Sequence, residues 1–272
     1  MNLFPQAILF DLDDTLFDHQ HASACALNEL HAKYAAGIDA ERFAVEHAKA
    51  LEKYHVRFLA GELSLDQARA ARMIDLFATF GVHIDAAKAN EIALLYRAMH
   101  QENRRLVPGA KELMEALQGR AKLAIVTNNS IDEQWNKLRY LGIADRFDAV
   151  VISEEIGITK PAAEIFNIAL SRMECTAKNA VVIGDNWDAD IMGAIGAGIP
   201  AVWFNRLDKP RRGDHVVAIT TLTPVQGVLT AIHDAMQAGN ATPGATPIAL
   251  QNENSNGSGE WKTNGKLETL AS

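Results

Sequence analysis

The chain has 272 residues, 48% of them apolar and 22% charged, and 26 Lys and Arg against 34 Asp and Glu give a formal net charge of −8. That balance argues against a broad nucleic-acid surface, which needs a basic face, but not against a small anionic substrate, because one lysine and one metal ion reverse a local field. No stretch approaches the ~20 apolar residues of a membrane span, the opening MNLFPQAILF lacks the basic start of a secretory signal, and Cys25 and Cys175 stand in no disulfide or metal-like pattern, which points to a reducing cytoplasm.

In chain order, Ala7–Phe10 is a short run apolar on both faces and reads as a buried strand. Residues 18–101 carry no strand pattern. They read as four helices, with Gly37, Gly61 and Gly81 where C-caps belong and Asp39, Ser64 and Asp85 where the next N-caps belong. Leu27, Leu30, His31 and Tyr34 repeat at helical spacing, as do Met73, Leu76, Phe77 and Phe80, and Ile92, Leu95, Tyr96 and Met99. Further apolar runs follow at Leu123–Val126, Ala149–Ile152, Ala180–Ile183, Ala201–Phe204 and Val216–Ile219, with helix-length segments between most of them. Ser130 to Glu133 reads as a capping box opening one helix, and Thr223 to Gln226 as another with Pro224 at the first helical position. Alternating strand and helix predicts an α/β fold, a doubly wound (Rossmann-like) parallel sheet core over 1–17 and 102–238, interrupted by a four-helix bundle over 18–101. From residue 239 to 272 the chain is rich in Gly, Asn, Thr and Ser and has no period, which predicts a disordered tail; Trp261 is read there as solvated.

Open α/β sheets bind ligands beyond the carboxyl ends of their strands. After the first run comes Asp11-Leu12-Asp13-Asp14-Thr15, after the second Thr127-Asn128-Asn129, and after the fourth Gly184-Asp185-Asn186-Trp187-Asp188-Ala189-Asp190; Lys160-Pro161 reads as opening the helix after the third. A calcium loop at Asp11 fails, because the sixth position is Leu16 and the twelfth is Ala22. Each piece alone is weak, but four of them in order at strand ends place carboxylates, a hydroxyl and a lysine at one edge.

With those four motifs the chain resembles the haloacid dehalogenase superfamily, whose members are mostly phosphatases. Ile152-Ser153-Glu154-Glu155-Ile156-Gly157 and Gly196-Ala197-Gly198-Ile199-Pro200 are similar to its nucleotidase and dehalogenase-like branch. The resemblance implies that the bundle is a cap and that the activity is Mg²⁺-dependent hydrolysis of a small phosphorylated metabolite, foremost a nucleoside 5′-monophosphate. Asp11 is then the nucleophile, forming an aspartyl-phosphate, and Asp13 the acid and base. Asp11, Asp13 through its carbonyl, Asp185 and, through a second layer, Asp190 hold Mg²⁺. Asp11, Thr15, Thr127, Asn128 and Lys160 bind phosphate. The acid role requires a protonated Asp13, and neighbouring carboxylates with an arriving phosphate are expected to raise its pKa. Phosphate monoesters demand up to about 10²¹-fold acceleration, far above the about 10²–10⁴ of general acid–base catalysis, so covalent catalysis and charge neutralisation must add to it.

Cap closure is expected to pivot near 17–19 and 103–107, with Phe17, His19 and further bundle residues meeting the leaving group; Trp135 is a candidate to stack on a substrate base, though packing of its helix is the first reading. Other features receive plainer readings. His19 and His21 at i, i+2 do not share a helix face, His31 is packed with one hydrogen-bond partner, Gly193, Gly196 and Gly198 serve close packing or turns, and Lys209, Arg211 and Arg212 form a solvated turn. No nucleic-acid polymer, membrane or protein partner is expected. The alternatives are a 2-haloacid dehalogenase, against which Asp13 speaks, a sugar phosphomutase, and a non-catalytic binder of a phosphorylated ligand.

Overall fold

The computed structural model describes residues 4–241 apart from 211 and 214. Six strands, β1 (Ala7–Phe10), β2 (Lys122–Thr127), β3 (Ala149–Ile152), β4 (Ala180–Gly184), β5 (Ala201–Phe204) and β6 (Val217–Ile219), form one parallel sheet in the order β3-β2-β1-β4-β5-β6. This is the doubly wound arrangement, and its order reverses between β1 and β4, where a crevice opens beyond the strand ends. Phe10 stands in register with Ile125 on one side and Ile183 on the other. The residues that follow these three positions are therefore neighbours in space.

The strands alternate their side chains between two cores, as a period of two requires. Ile8, Phe10, Ile125, Val181, Ile183 and Val202 face the side covered by α5 (Ala110–Leu117), α6 (Ile131–Tyr140) and α10 (Val225–Ala241). Leu9, Val126, Val151, Val182 and Trp203 face the other side, where α8 (Ala163–Arg172) and α9 (Met192–Gly196) pack with Ile165, Phe166 and Ala194; α7 (Ser153–Ile156) is one turn after β3. A β-carbon at Gly193 would overlap the Phe166 ring, which accounts for that glycine by close packing.

Between β1 and α5 stand four helices, α1 (His19–Tyr34), α2 (Ala40–Leu59), α3 (Leu65–Thr79) and α4 (Ala86–Glu102). Their own core holds Leu30, Phe43, Met73, Leu76, Phe77, Ile92 and Tyr96, the residues at helical spacing in three of them plus Phe43 from α2. Asp39 and Asp85 cap α2 and α4, and Ser64 with Gln67 forms a reciprocal box on α3. Gly61 and Gly81 adopt the left-handed conformation after α2 and α3. Gly37 does not: α1 ends at Tyr34 with Ala35 as its cap. His31 has one hydrogen-bond partner: its Nε2 donates to the Ile38 carbonyl at 2.7 Å, since a carbonyl can only accept.

Three further expectations change. Ser130 occupies the N-cap position of α6, but no box forms: its hydroxyl is buried without a partner, the Ile131 N–H turns to the Glu154 carboxylate at 2.8 Å, and Glu133 is drawn off by arginines. α10 begins at Val225, one residue after Pro224, because the Thr223 side chain turns to Thr221. It also runs on through Ala241, taking up the first residues of the expected tail; the rest of that segment with Trp261 lies outside the described residues, as does Arg211. Arg212 pairs with Asp188 at 2.8 Å.

The two chain crossings between sheet and bundle run side by side. The Val107 N–H donates to the Leu16 carbonyl at 2.8 Å and the Asp18 N–H to the Arg105 carbonyl at 3.0 Å. The buried Asp18 carboxylate caps α1 and accepts from Arg105 and Arg206, both at 2.9 Å, tying the bundle's root to the loop after β5. Among the described residues no helix is long and apolar enough to cross a membrane.

Candidate active site

The crevice between β1 and β4 gathers the strand-end residues. Lys160, buried in the loop between α7 and α8 rather than opening α8, which begins at Ala163, donates to Asp11 at 2.6 Å, to Asp190 at 2.6 Å and to the Val126 carbonyl at 2.9 Å. Those are all three donors an ammonium has, so its position is fixed. Asn128 fixes its backbone as well, accepting from the Lys160 N–H at 2.8 Å and donating to its carbonyl at 3.1 Å. The Asn128 side chain is thus spent on the lysine, and its backbone is what remains for a phosphoryl oxygen.

Asp190 is buried, and its second oxygen accepts from the Asn186 N–H at 2.9 Å. Its carboxylate lies over Gly184, where a β-carbon would overlap it. Asp190 therefore anchors the loop and the lysine, while the Asp185 carboxylate has no hydrogen-bond donor from the described residues; only the Asp185 backbone is held, by the Trp203 indole N–H at 2.9 Å. Asp11, Asp185 and Asp190 bring one carboxylate oxygen each within 4.8 Å of one another. Burial first, then Asp11 and Asp190, pushes Asp185 up to about 8. Burial with Asp190 and Asp13, against the pull of Lys160, pushes Asp11 up to about 7. A set of hard oxygen donors carrying more negative charge than one lysine offsets fits Mg²⁺.

Asp13 lines the same cavity as Asp11, two residues along. Its carboxylate accepts from Lys137 of α6 at 2.6 and 2.8 Å and from Gln134 at 3.0 Å. Gln134 also donates to the Thr127 hydroxyl at 2.6 Å. The expected upward shift of Asp13 is reversed here: burial raises it, but Lys137, followed by His19 and Gln134, outweighs burial and holds it well below the usual carboxylate range. Its side chain is 26% exposed toward the cavity.

Three candidate contacts, Thr15, Phe17 and Trp135, do not line the cavity. Thr15 sits in the tight turn after Asp13, fully buried, its hydroxyl unpartnered, and does not reach the cavity. Phe17 is also fully buried, behind His19 and His100, whose rings it meets edge-on at 6.0 and 5.7 Å, with Lys137 over its face. Trp135 lies on the opposite flank of α6, packed against the sheet's core, which is the packing role read for it first. His19 does line the cavity, next to His100 at 3.3 Å. His21 points elsewhere, to Cys25.

Sequence reasoning missed a second set of groups. Gln134 and Lys137 form an inward stripe of α6 with Leu138, and that i, i+3, i+4 spacing was a usable signal. Glu133 on the same helix accepts from Arg69 at 2.8 Å, Arg97 at 3.0 Å and Arg104 at 3.4 Å, joining core to bundle. Around all of these lies a cavity of about 570 Å³, lined from the core by Asp11, Asp13, Lys160 and Asp185 and from the bundle by Tyr54, Arg72 and Tyr96.

Residues 5–198 match the family model of haloacid dehalogenase-like hydrolases. The HAD-hydrolase YfnB of Bacillus subtilis is 31% identical over 206 residues, covering 75% of this chain and 86% of that protein. Its crystal structure bound to magnesium superposes with a TM-score of 0.70 at 29% identity, over 84% of this chain and 99% of that one. The ribulose-1,5-bisphosphate 5-phosphatase of Halopiger xanaduensis is 33% identical over 73% of this chain and 84% of its own length. The pyrimidine 5′-nucleotidase YjjG of Escherichia coli is 32% identical over 73% and 85% respectively.

Proposed function

The chain belongs to the haloacid dehalogenase-like hydrolases, and from that premise we propose that it is a phosphomonoesterase, transferring the phosphoryl group of a small phosphorylated metabolite to Asp11 and then to water. One observation carries this reading: Lys160 joins Asp11 and Asp190 in the crevice while Asp13 faces the same cavity. An alkoxide leaving group needs a proton, and a halide does not. The second carboxylate therefore has a task in ester cleavage and none in dehalogenation.

In this mechanism a carboxylate oxygen of Asp11 attacks phosphorus, the ester P–O bond breaks, and its electron pair goes to the leaving oxygen, which takes a proton from Asp13. Asp13 then removes a proton from water as that water attacks the phosphorus of the aspartyl-phosphate, which frees inorganic phosphate and restores Asp11. Asp13 is ionised in the free protein, paired to Lys137. A phosphoryl dianion arriving beside it opposes the lysine and favours the protonated form. Lys160, Thr127 and the Asn128 backbone would hold the phosphoryl oxygens in this reading. Asp11, Asp185 and the Asp13 carbonyl would hold Mg²⁺, which when bound offsets the charge of the phosphoryl oxygens, with Asp190 behind them. The bundle, closing on its paired crossings, excludes water. In this reading the enzyme works in the cytoplasm, in line with its two free cysteines.

The relatives named for a substrate differ in it, so the nucleoside 5′-monophosphate implied by resemblance is one arm of the test. A panel of phosphorylated metabolites is assayed for phosphate release with Mg²⁺ and with EDTA. Release is expected only with Mg²⁺, and Asp11→Asn is expected to lower it by about 10³-fold or more. Full activity in EDTA, or an Asp11→Asn variant as active as the parent, sinks the mechanism. Halide release from 2-haloacids in EDTA instead establishes dehalogenation, phosphoryl return to a sugar establishes a mutase, and binding with no turnover establishes a binding protein.

A further inference from the structure

Beyond the acidic cluster the cavity continues into the bundle, and there it holds a charge that no carboxylate among the described residues balances. Arg72 of α3 is only 7% exposed. Its guanidinium lies over the Tyr96 ring, 4.7 Å from the centroid. A ring face offers no oxygen or nitrogen acceptor to the N–H donors of the group. Nε is buried with no partner, and among the described residues no carboxylate lies within ion-pair distance of Arg72.

The other arginines of the cavity behave differently. Arg69, Arg97 and Arg104 all converge on Glu133. On this side of the cavity four arginines thus face two lining carboxylates, Glu133 and the exposed Glu52; the exposed Asp66 pairs with Arg69 from outside the lining. The neighbouring histidines add no negative charge: burial holds His19, His47 and His55 below their ordinary values, and Arg72 acts on each in the same direction. A buried cation without a counter-charge is costly to keep, and a concave, enclosed position is where a ligand would supply one.

We propose that Arg72 receives a second negative charge carried by the substrate's leaving group, a carboxylate or a second phosphate, while the scissile phosphoryl group lies at Asp11 and Lys160. The first end of that ligand rests on the phosphomonoesterase reading; the second rests on Arg72 alone. A leaving group with no charge, such as a nucleoside, leaves the guanidinium unpaired.

The test uses matched pairs on the full chain with Mg²⁺, read by calorimetric binding and by phosphate release. Phosphoserine is set against phosphoethanolamine, which differ by one carboxylate, and ribulose bisphosphate against ribulose monophosphate, which differ by one phosphate. In the parent protein the doubly anionic member of at least one pair is expected to win by about 100-fold in affinity and in kcat/KM, and the pair that shows it names the group. In Arg72→Met that ratio collapses toward one, and Arg72→Lys restores part of it. A parent ratio near one in both pairs overturns the inference whatever the variants do. So does an Arg72→Met variant in which both members of a pair weaken together and the ratio stays, because that is the mark of a structural arginine. A binding preference that depends on Arg72 with no phosphate released from anything supports the anion site and overturns the hydrolase reading.

Discussion

Lys160 has no spare donor, and that makes it the most consequential single side chain of the site. It is buried between Asp11 and Asp190, so removing it leaves two buried carboxylates without a cation. Lys160→Met is expected to destabilise the protein by about 3–5 kcal/mol in urea unfolding and to abolish phosphate release; a variant of parental stability would show that the pair is not buried as described. Lys137 plays a similar part for Asp13, its side chain only 4% exposed. Lys137→Met is expected to lower kcat by about 10–100-fold, with Lys137→Arg recovering part of it, and an unchanged kcat would remove Lys137 from the reaction. The carboxylates of the site could be read from the sequence because each follows an apolar run, and a strand's end fixes where the next side chains go. Lys137 and Arg72 could not be placed with the same ease. They sit on helices beside Leu138 and Met73, and which of two adjacent residues faces a cavity depends on how the helix is rolled against its neighbours.

Helix α6 joins the two halves of the protein through Glu133, and its chemistry has a pH dependence. Burial alone would raise the Glu133 carboxyl, but Arg69, followed by Arg97 and Lys137, lowers it below its ordinary value. The folded protein therefore binds the Glu133 proton less readily than the unfolded chain does. The stabilisation is complete above the ordinary value of 4.5 and is lost as pH falls through the depressed one. Glu133→Gln is expected to cost about 2 kcal/mol at neutral pH and to flatten this part of the acid limb; an acid limb identical to the parent's would refute the assignment. The same residue explains why the capping box failed to form: serine and glutamate had the right spacing, but three arginines from elsewhere in the chain offered the glutamate more than a backbone N–H does. Local spacing shows an opportunity, and tertiary charge decides its use. Inside the bundle the helical spacing was decisive, since Leu30, Met73, Leu76, Phe77 and Ile92 are all buried as their period requires. Phe77→Ala is expected to cost about 3–4 kcal/mol, measured by urea unfolding with the bundle's own aromatic signal.

The whole molecule carries its −8 unevenly. Carboxylates concentrate at the sheet's crevice, and arginines concentrate across the cavity from them. A divalent cation is expected to raise the melting temperature of the parent, by about 2.7 kcal/mol of stabilisation at a hundredfold excess over Kd. Asp185→Asn is expected to abolish that rise, and a rise that survives the substitution would place the metal elsewhere. The doubly wound sheet and inserted bundle were legible because alternation of strand and helix admits few arrangements; the hand-over of the tail's first residues to α10 was not, since Gly239 to Ala241 lack any periodic mark. The order of the sheet also sets a timetable. β1 pairs with β2 on one side and β4 on the other, so Ala7 meets Lys122 and Ala180. As a ribosome releases the chain, the first strand emerges and then has no partner until the entire bundle has followed it. The bundle's contacts are closer in sequence and close at smaller entropic cost. It is expected to form first, while the half of the catalytic crevice contributed by β4 arrives only after the bundle, β2 and β3, so that Asp11 waits through more than half of synthesis for the Asp185 loop that completes it.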